Sequence, residues 1–239
     1  MGETLVDVWV YLAASPLLAL TMTLVAYQGA VWLYHKAGST ALLNPVLVTV
    51  ALVVAVLTAT GTSYQTYFEG AQFIHFLLGP ATVALAIPLY RQFDRVRRSA
   101  LAIAASLLTG SLTAIASALA VGALTRLDAV SLASLAPKSA TAPVAMGIAE
   151  KLGGLPSLTA VFVILTGILG AALGPVVLNL LGIRDEAARG LAMGTASHGI
   201  GTARALQESE VAGAFSGLAM GLNALATALL LPLVWLLFF

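Results

Sequence analysis

Apolar residues run through this chain in long uninterrupted stretches. The runs 8–34, 37–68, 70–90, 99–125, 152–183 and 211–239 contain no Asp, Glu, Lys or Arg. A membrane-spanning helix needs about 20 mostly apolar residues, and each run is long enough. Stretches such as Val46–Leu57 and Val161–Leu173 are apolar on every face. That suits a helix in lipid, whereas a transmembrane barrel shows ten-residue segments of strict alternation. The run 37–68 predicts a loop, a helix from about Asn44 to Thr60 and an interfacial piece after Gly61. Two further windows are interrupted: 129–149 by Lys138, and 190–207 by His198 and Arg204. The pattern predicts an all-α, polytopic membrane helix bundle over 1–239, read as one domain. It has about eight spans, or six plus re-entrant elements.

Composition narrows the function. Hydrophobic residues make up 60% of the 239 and charged residues 9%, against about 25% charged in a soluble domain. This excludes a soluble enzyme and a disordered tail. The net charge of +1 leaves no basic footprint for nucleic acid. Without cysteine there is neither disulfide nor thiolate site. The first run follows Glu3 and Asp7 and is too long for a signal-peptide core, so it reads as the first span. The densest basic loop, Arg91–Arg98, marks the cytoplasmic side by the positive-inside rule. Counting eight spans then puts Glu150/Lys151 and Glu208/Glu210 inside and the Arg184–Arg189 loop outside.

The interrupted windows carry the chemistry. In the first, Pro137 and Pro143 bracket Lys138, Ser139 and Thr141. Proline removes an amide donor and restricts the residue before it. Residues 137–142 are therefore predicted to be unwound, with a half-helix starting at Pro143. In the second, Gly199 and Gly201 interrupt a run of small residues, and Thr202 suits the cap of a restarted helix. The windows correspond at an offset of 58, Ser139 to Ser197 and Glu150 to Glu208. A third broken stretch, Leu78–Pro88, lies 57 earlier, making a weak internal repeat. Eight-span counting makes the two half-helices parallel, whereas an inverted repeat needs them antiparallel.

Unwound backbone within a membrane is tolerated where it is buried in protein or lines a cavity. Paired broken helices point to a transporter site, and half-helix N-termini suit an anion. The reading is a small organic anion, a carboxylate, held by Lys138, Ser139, Thr141, Pro143, Thr195, Ser197, His198, Gly199, Gly201, Thr202 and Arg204. Each residue has a plainer alternative. Lys138 can snorkel to an interface, although a lysine at mid-bilayer costs about 2.5–3.5 kcal/mol on insertion scales. Arg204 can pair with Glu208 four residues on. His198 can be a packing residue or a proton carrier. Glu69, Gln72 and His75 share one helix face, an interfacial face or an access gate. Asn44 and Asn223 are helix-to-helix glue or contact a cation or substrate. Gly213, Gly217 and Gly221, the pair Gly170/Gly174, and the repeated Gly-Leu-Ala-Met-Gly at 190–194 and 217–221 read as packing devices.

The three histidines have no carboxylate cluster and make no metal case. No cofactor or nucleotide motif is present. Every aspartate falls in a loop or terminus, against an intramembrane protease.

Several stretches resemble the LrgB/CidB family. They are Asn44-Pro45, Tyr67–Phe73, Leu77–Tyr90, Lys138–Met146, Gly190–Ala205 and Gly213–Asn223, within a likeness running from about residue 12 to the end. Ala142 stands where the family more often has threonine, and Gly199 where alanine is commoner. The resemblance implies a multi-pass protein of the bacterial inner membrane. It implies either a holin-like modulator of murein hydrolase activity and autolysis, or a transporter of small monocarboxylates. The second role is that of the related plastidic glycolate/glycerate translocator, with pyruvate the bacterial substrate. It also implies a small LrgA/CidA-type membrane partner. The glycine-faced helices suggest a homodimer with a moving core.

Overall fold

The computed structural model describes residues 16–38 and 43–238, and all secondary structure in them is helical. Five stretches are long and apolar enough to cross a membrane: Leu17–Lys36, Tyr64–Arg91, Ala100–Leu124, Pro156–Leu180 and Glu210–Leu237. The chain forms two compact units, one ending at Ala84 and one beginning at Leu85.

The first unit holds α1 (Pro16–Lys36), α2 (Pro45–Thr60) and α3 (Tyr64–Ala84). Asn44 starts α2: its side-chain oxygen accepts from the amides of Val46 and Leu47, and Pro45 occupies the first turn. Gly61 ends the helix at φ 65°, a left-handed conformation that glycine adopts without strain. The chain then enters α3 directly, so the interfacial piece predicted after Gly61 is instead the start of a long helix. Thr23 and Tyr67 share a hydrogen bond of 2.8 Å between α1 and α3.

The second unit runs α4 (Ala86–Arg91), α5 (Phe93–Arg98), α6 (Ala100–Leu124), α7 (Ala129–Leu135), α8 (Ala142–Lys151), α9 (Pro156–Leu180), α10 (Glu186–Glu208) and α11 (Glu210–Phe238). Two ion pairs fix which helix ends lie together. Arg95 meets Asp185 at 2.8 Å and Arg91 meets Glu210 at 2.9 Å. The starts of α6, α10 and α11 and the end of α9 therefore share one end, the basic end. At the far end Leu119, Leu132, Ile148 and Leu231 form one apolar cluster. So α6, α9 and α11 each run the full length, with α9 antiparallel to the other two.

Helix α10 does not cross. Arg189 Nε lies 3.0 Å from Glu208 Oε2, 19 residues away in sequence. A continuous helix would hold those positions about 28 Å apart. The chain enters from the basic end, breaks at His198 (φ 42°, ψ −133°) and returns. The α7–α8 pair lies between the far ends of α6 and α9, so it enters and leaves from that end. Its arms of seven and ten residues are about 10 and 15 Å long, well short of a 30 Å hydrocarbon core.

Two re-entrant hairpins thus enter from opposite ends, separated by the single crossing α9. This corrects the eight-span count, which runs the half-helices parallel. The Arg184–Arg189 loop lies on the same side as Arg91–Arg98, and Glu150/Lys151 lie opposite. The offset of 58 relates α6 with its hairpin to α9 with its hairpin, in inverted orientation. The third stretch, Leu78–Pro88, is helical as parts of α3 and α4.

Candidate functional site

The first break spans residues 136–141, and α8 begins at Ala142 with Pro143 in its first turn. This is one residue earlier than the proline pattern predicts. Two of the unwound amides are bonded locally: Lys138 N donates to Leu135 O at 3.1 Å and Ala140 N to Pro137 O at 3.0 Å. Ala140 and Pro137 are buried and Ser139 is 5% exposed. Thr141 takes the cap position of α8 without a side-chain cap bond.

The second break falls at His198 and not at Gly199 or Gly201. A non-glycine residue at φ 42° carries backbone strain of about 1–3 kcal/mol. The side chain supplies the reason it sits there. His198 Nε2 lies 2.9 Å from the carbonyl of Val163 on α9, and since a carbonyl only accepts, the ring donates. Gly167 makes room, because a Cβ there would sit 2.6 Å from the ring's Cε1. Thr202 is not the cap of a restarted helix. Its hydroxyl donates back to His198 O at 2.9 Å and shares a 3.0 Å bond with Ser216 on α11. Gly201 lets the returning arm press against Met193 O and Ser197 Cβ, while Gly199 faces Met220.

The two tips meet through α11. Asn223, fully buried midway along that helix, donates from Nδ2 to Ser139 O at 2.9 Å and to Thr195 O at 3.1 Å. Its Oδ1 accepts from Ser111 on α6 at 2.6 Å.

Beside this junction, α6, α9, α10 and the first break line an open cavity of about 1120 Å³. Lys138, Ser139, Thr195 and Ser197 line it, together with Leu165, Leu169 and Leu173 of α9. Lys138 is half-buried, with Nζ 3.3 Å from Ser139 Oγ. Ser197 is 1% exposed, and its Oγ has no hydrogen-bond partner among the described residues. It points toward Gly170, where any Cβ would collide with it.

The other sequence-predicted residues lie elsewhere. Thr141, Pro143, His198, Gly199, Gly201, Thr202 and Arg204 are outside the cavity wall. Arg204 Nη1 donates to Gln207 at 3.1 Å, and Glu208 pairs with Arg189 across the hairpin base. Asn44 is the α2 cap. Glu69 and Gln72 are exposed on α3, with Gln72 Nε2 donating to Glu69 O. The side chain of His75 is outside the described residues. Sequence reasoning missed Ser111 and the wall residues Ser106, Thr109, Thr113 and Ser117 of α6. Their spacing of three, four and four is a one-faced helical stripe and was the available signal.

Three crossings around two opposed re-entrant hairpins, with a cavity beside the tips, define a polytopic helical membrane protein built on an inverted repeat. Comparison with known proteins identifies which one. The LrgB-like family matches residues 23–237, and the chain belongs to that family. It is 40% identical to the uncharacterized protein YxaC of Bacillus subtilis, over 94% of this chain and 97% of that protein. It is 34% identical to the holin-like protein CidB of Staphylococcus epidermidis (93% and 96%) and 31% identical to the antiholin-like protein LrgB of Bacillus subtilis (91% and 94%). No solved structure matches the chain.

Proposed function

We propose that this protein is a secondary transporter of small organic anions, of the monocarboxylate class (pyruvate, glycolate, glycerate), in the bacterial cytoplasmic membrane. One observation carries the reading. A buried serine hydroxyl without a partner among the described residues, Ser197, lines a cavity that also holds a half-buried lysine, Lys138. An orphaned buried hydroxyl is costly unless something else satisfies it, and a carboxylate beside a lysine does so. Ser139 and Thr195 complete the wall. In this reading Thr141, Pro143, His198, Gly199, Gly201 and Thr202 shape the tips, and Arg204 is not a ligand contact. The basic end faces the cytoplasm. The surroundings are the lipid bilayer, a second copy of the chain and a small LrgA/CidA-type partner.

A holin-like modulator of murein hydrolase activity is the second reading, and the names of the relatives CidB and LrgB favour it. Purified protein in liposomes separates the two. Uptake of labelled pyruvate, glycolate, glycerate and lactate is measured beside escape of an entrapped dye. Saturable, solute-selective uptake with the dye retained supports transport. Dye escape without solute preference supports the second reading and rejects the first.

A further inference from the structure

The junction between the hairpin tips gathers oxygen atoms. The carbonyls of Ser139 and Thr195 approach one point from opposed hairpins, and the hydroxyl of Ser111 approaches from α6. Asn223 at the centre is fully buried. Two buried carbonyls aimed at one point repel each other unless a donor or a cation stands between them. In broken-helix transporters such carbonyls ligate a coupling cation. Here the carboxamide supplies the donor. Its two N–H groups each serve one carbonyl, and its oxygen takes the Ser111 proton, so every lone pair aimed at the centre is matched.

We infer that the Asn223 amide occupies the place of a monovalent cation, cross-linking the two tips as a neutral group and closing that position to ions. Any ion coupling therefore acts elsewhere in the molecule. The corollary is that Asn223→Asp, which replaces two donors with an acceptor, turns the junction into an all-oxygen set of two carbonyls, a hydroxyl and a carboxylate. That set demands a sodium ion or a proton.

The test is thermal melting of the purified full-length protein in detergent, in sodium chloride against choline chloride, at about pH 8 and about pH 5, either side of the range where a carboxyl with a raised pKa titrates. The titratable groups nearest the breaks are Lys138, next to Ser139, and His198 on α10; Glu186, Arg189, Arg204 and Glu208 of α10 and Glu210 of α11 lie on the same elements toward the basic end. All are present in every variant, and only a pairing of Lys138 with the new carboxylate would differ between them. The wild type melts at the same temperature in both salts. Asn223→Asp melts several degrees lower in choline at the higher pH and recovers in sodium or at the lower pH. Asn223→Ala melts low under all conditions. Should that variant not fold, Ser111→Ala, which keeps both carbonyl bonds, gives a smaller drop indifferent to salt. Two outcomes overturn the inference. One is an Asn223→Asp protein that responds to neither sodium nor acid, including one neutralised by Lys138 and as stable as the wild type. The other is a sodium-dependent rise in the wild type that Asn223→Asp abolishes. No substrate enters this measurement, so its failure and failure of the transport reading are separately visible.

Discussion

His198 holds a backbone conformation that a glycine would adopt at lower cost, yet glycine stands one position later. The ring's bond to Val163 O offsets the strain and anchors the α10 tip on α9. Substituting this residue separates the two contributions. His198→Ala keeps the strain and loses the bond; His198→Gly loses the bond but relieves the backbone. The glycine variant should be the more stable of the two by about 1 kcal/mol, read as the difference in denaturation midpoints. At the cavity wall, Ser197→Ala removes one charge-assisted hydrogen bond to the carboxylate and should weaken substrate affinity about tenfold or more, by concentration dependence of uptake. Lys138→Met removes the charge and should cost tenfold or more. Both variants should still fold, since among the described residues Ser197 Oγ has no hydrogen-bond partner to lose and the Lys138 ammonium has a single long contact, 3.3 Å to Ser139.

The elements show why some features were legible in the sequence and others were not. The break at 136–141 was readable because Pro137 and Pro143 impose it within a few residues of themselves. The break at His198 was misplaced because its cause lies 35 residues away, in a carbonyl and a missing Cβ on α9. Of the glycines read as packing devices, Gly190 and Gly194 abut the backbone of α11 at Ala212 and Ser216, and Gly213 faces Leu206. Among the described residues, nothing lies within 4 Å of where a Gly221 Cβ would stand. Gly194→Ala should therefore destabilise by about 1–3 kcal/mol through overpacking, while Gly221→Ala should be near neutral, both measured by thermal melting. At the start of α7, Asp128 accepts from the amide and hydroxyl of Ser131, and these bonds hold its carboxyl below the usual range. A carboxyl depressed on folding stabilises above its unfolded pKa, and that contribution is lost as the pH falls through the folded value. Asp128→Asn should lower stability at neutral pH and leave the acid end of the profile unchanged.

At the scale of the whole second unit, the sequence supplied the apolar runs, the two interrupted windows and the offset between them. It did not supply topology, because a window with charges reads equally as a flawed crossing or as a hairpin. Contacts distant in sequence decide this: Arg189 with Glu208, Arg95 with Asp185 and Arg91 with Glu210. The consequence is checked by single cysteines, for which the native chain offers no background. Glu186→Cys and Arg97→Cys should react with a membrane-impermeant thiol reagent from the same side of the membrane, and Glu150→Cys from the other. Labelling of residues 97 and 186 from opposite faces would restore the eight-span count.

The clasp between Arg189 and Glu208 also bears on biogenesis. The arms it joins are rich in small and polar residues, and α10 is not among the stretches apolar enough to cross a membrane. Their berth is walled partly by α11, which the ribosome makes afterwards. The berth of the hairpin is therefore incomplete until α11 is in place. A nascent chain halted before Glu210 would leave Gly190 and Gly194 without the backbone they pack against.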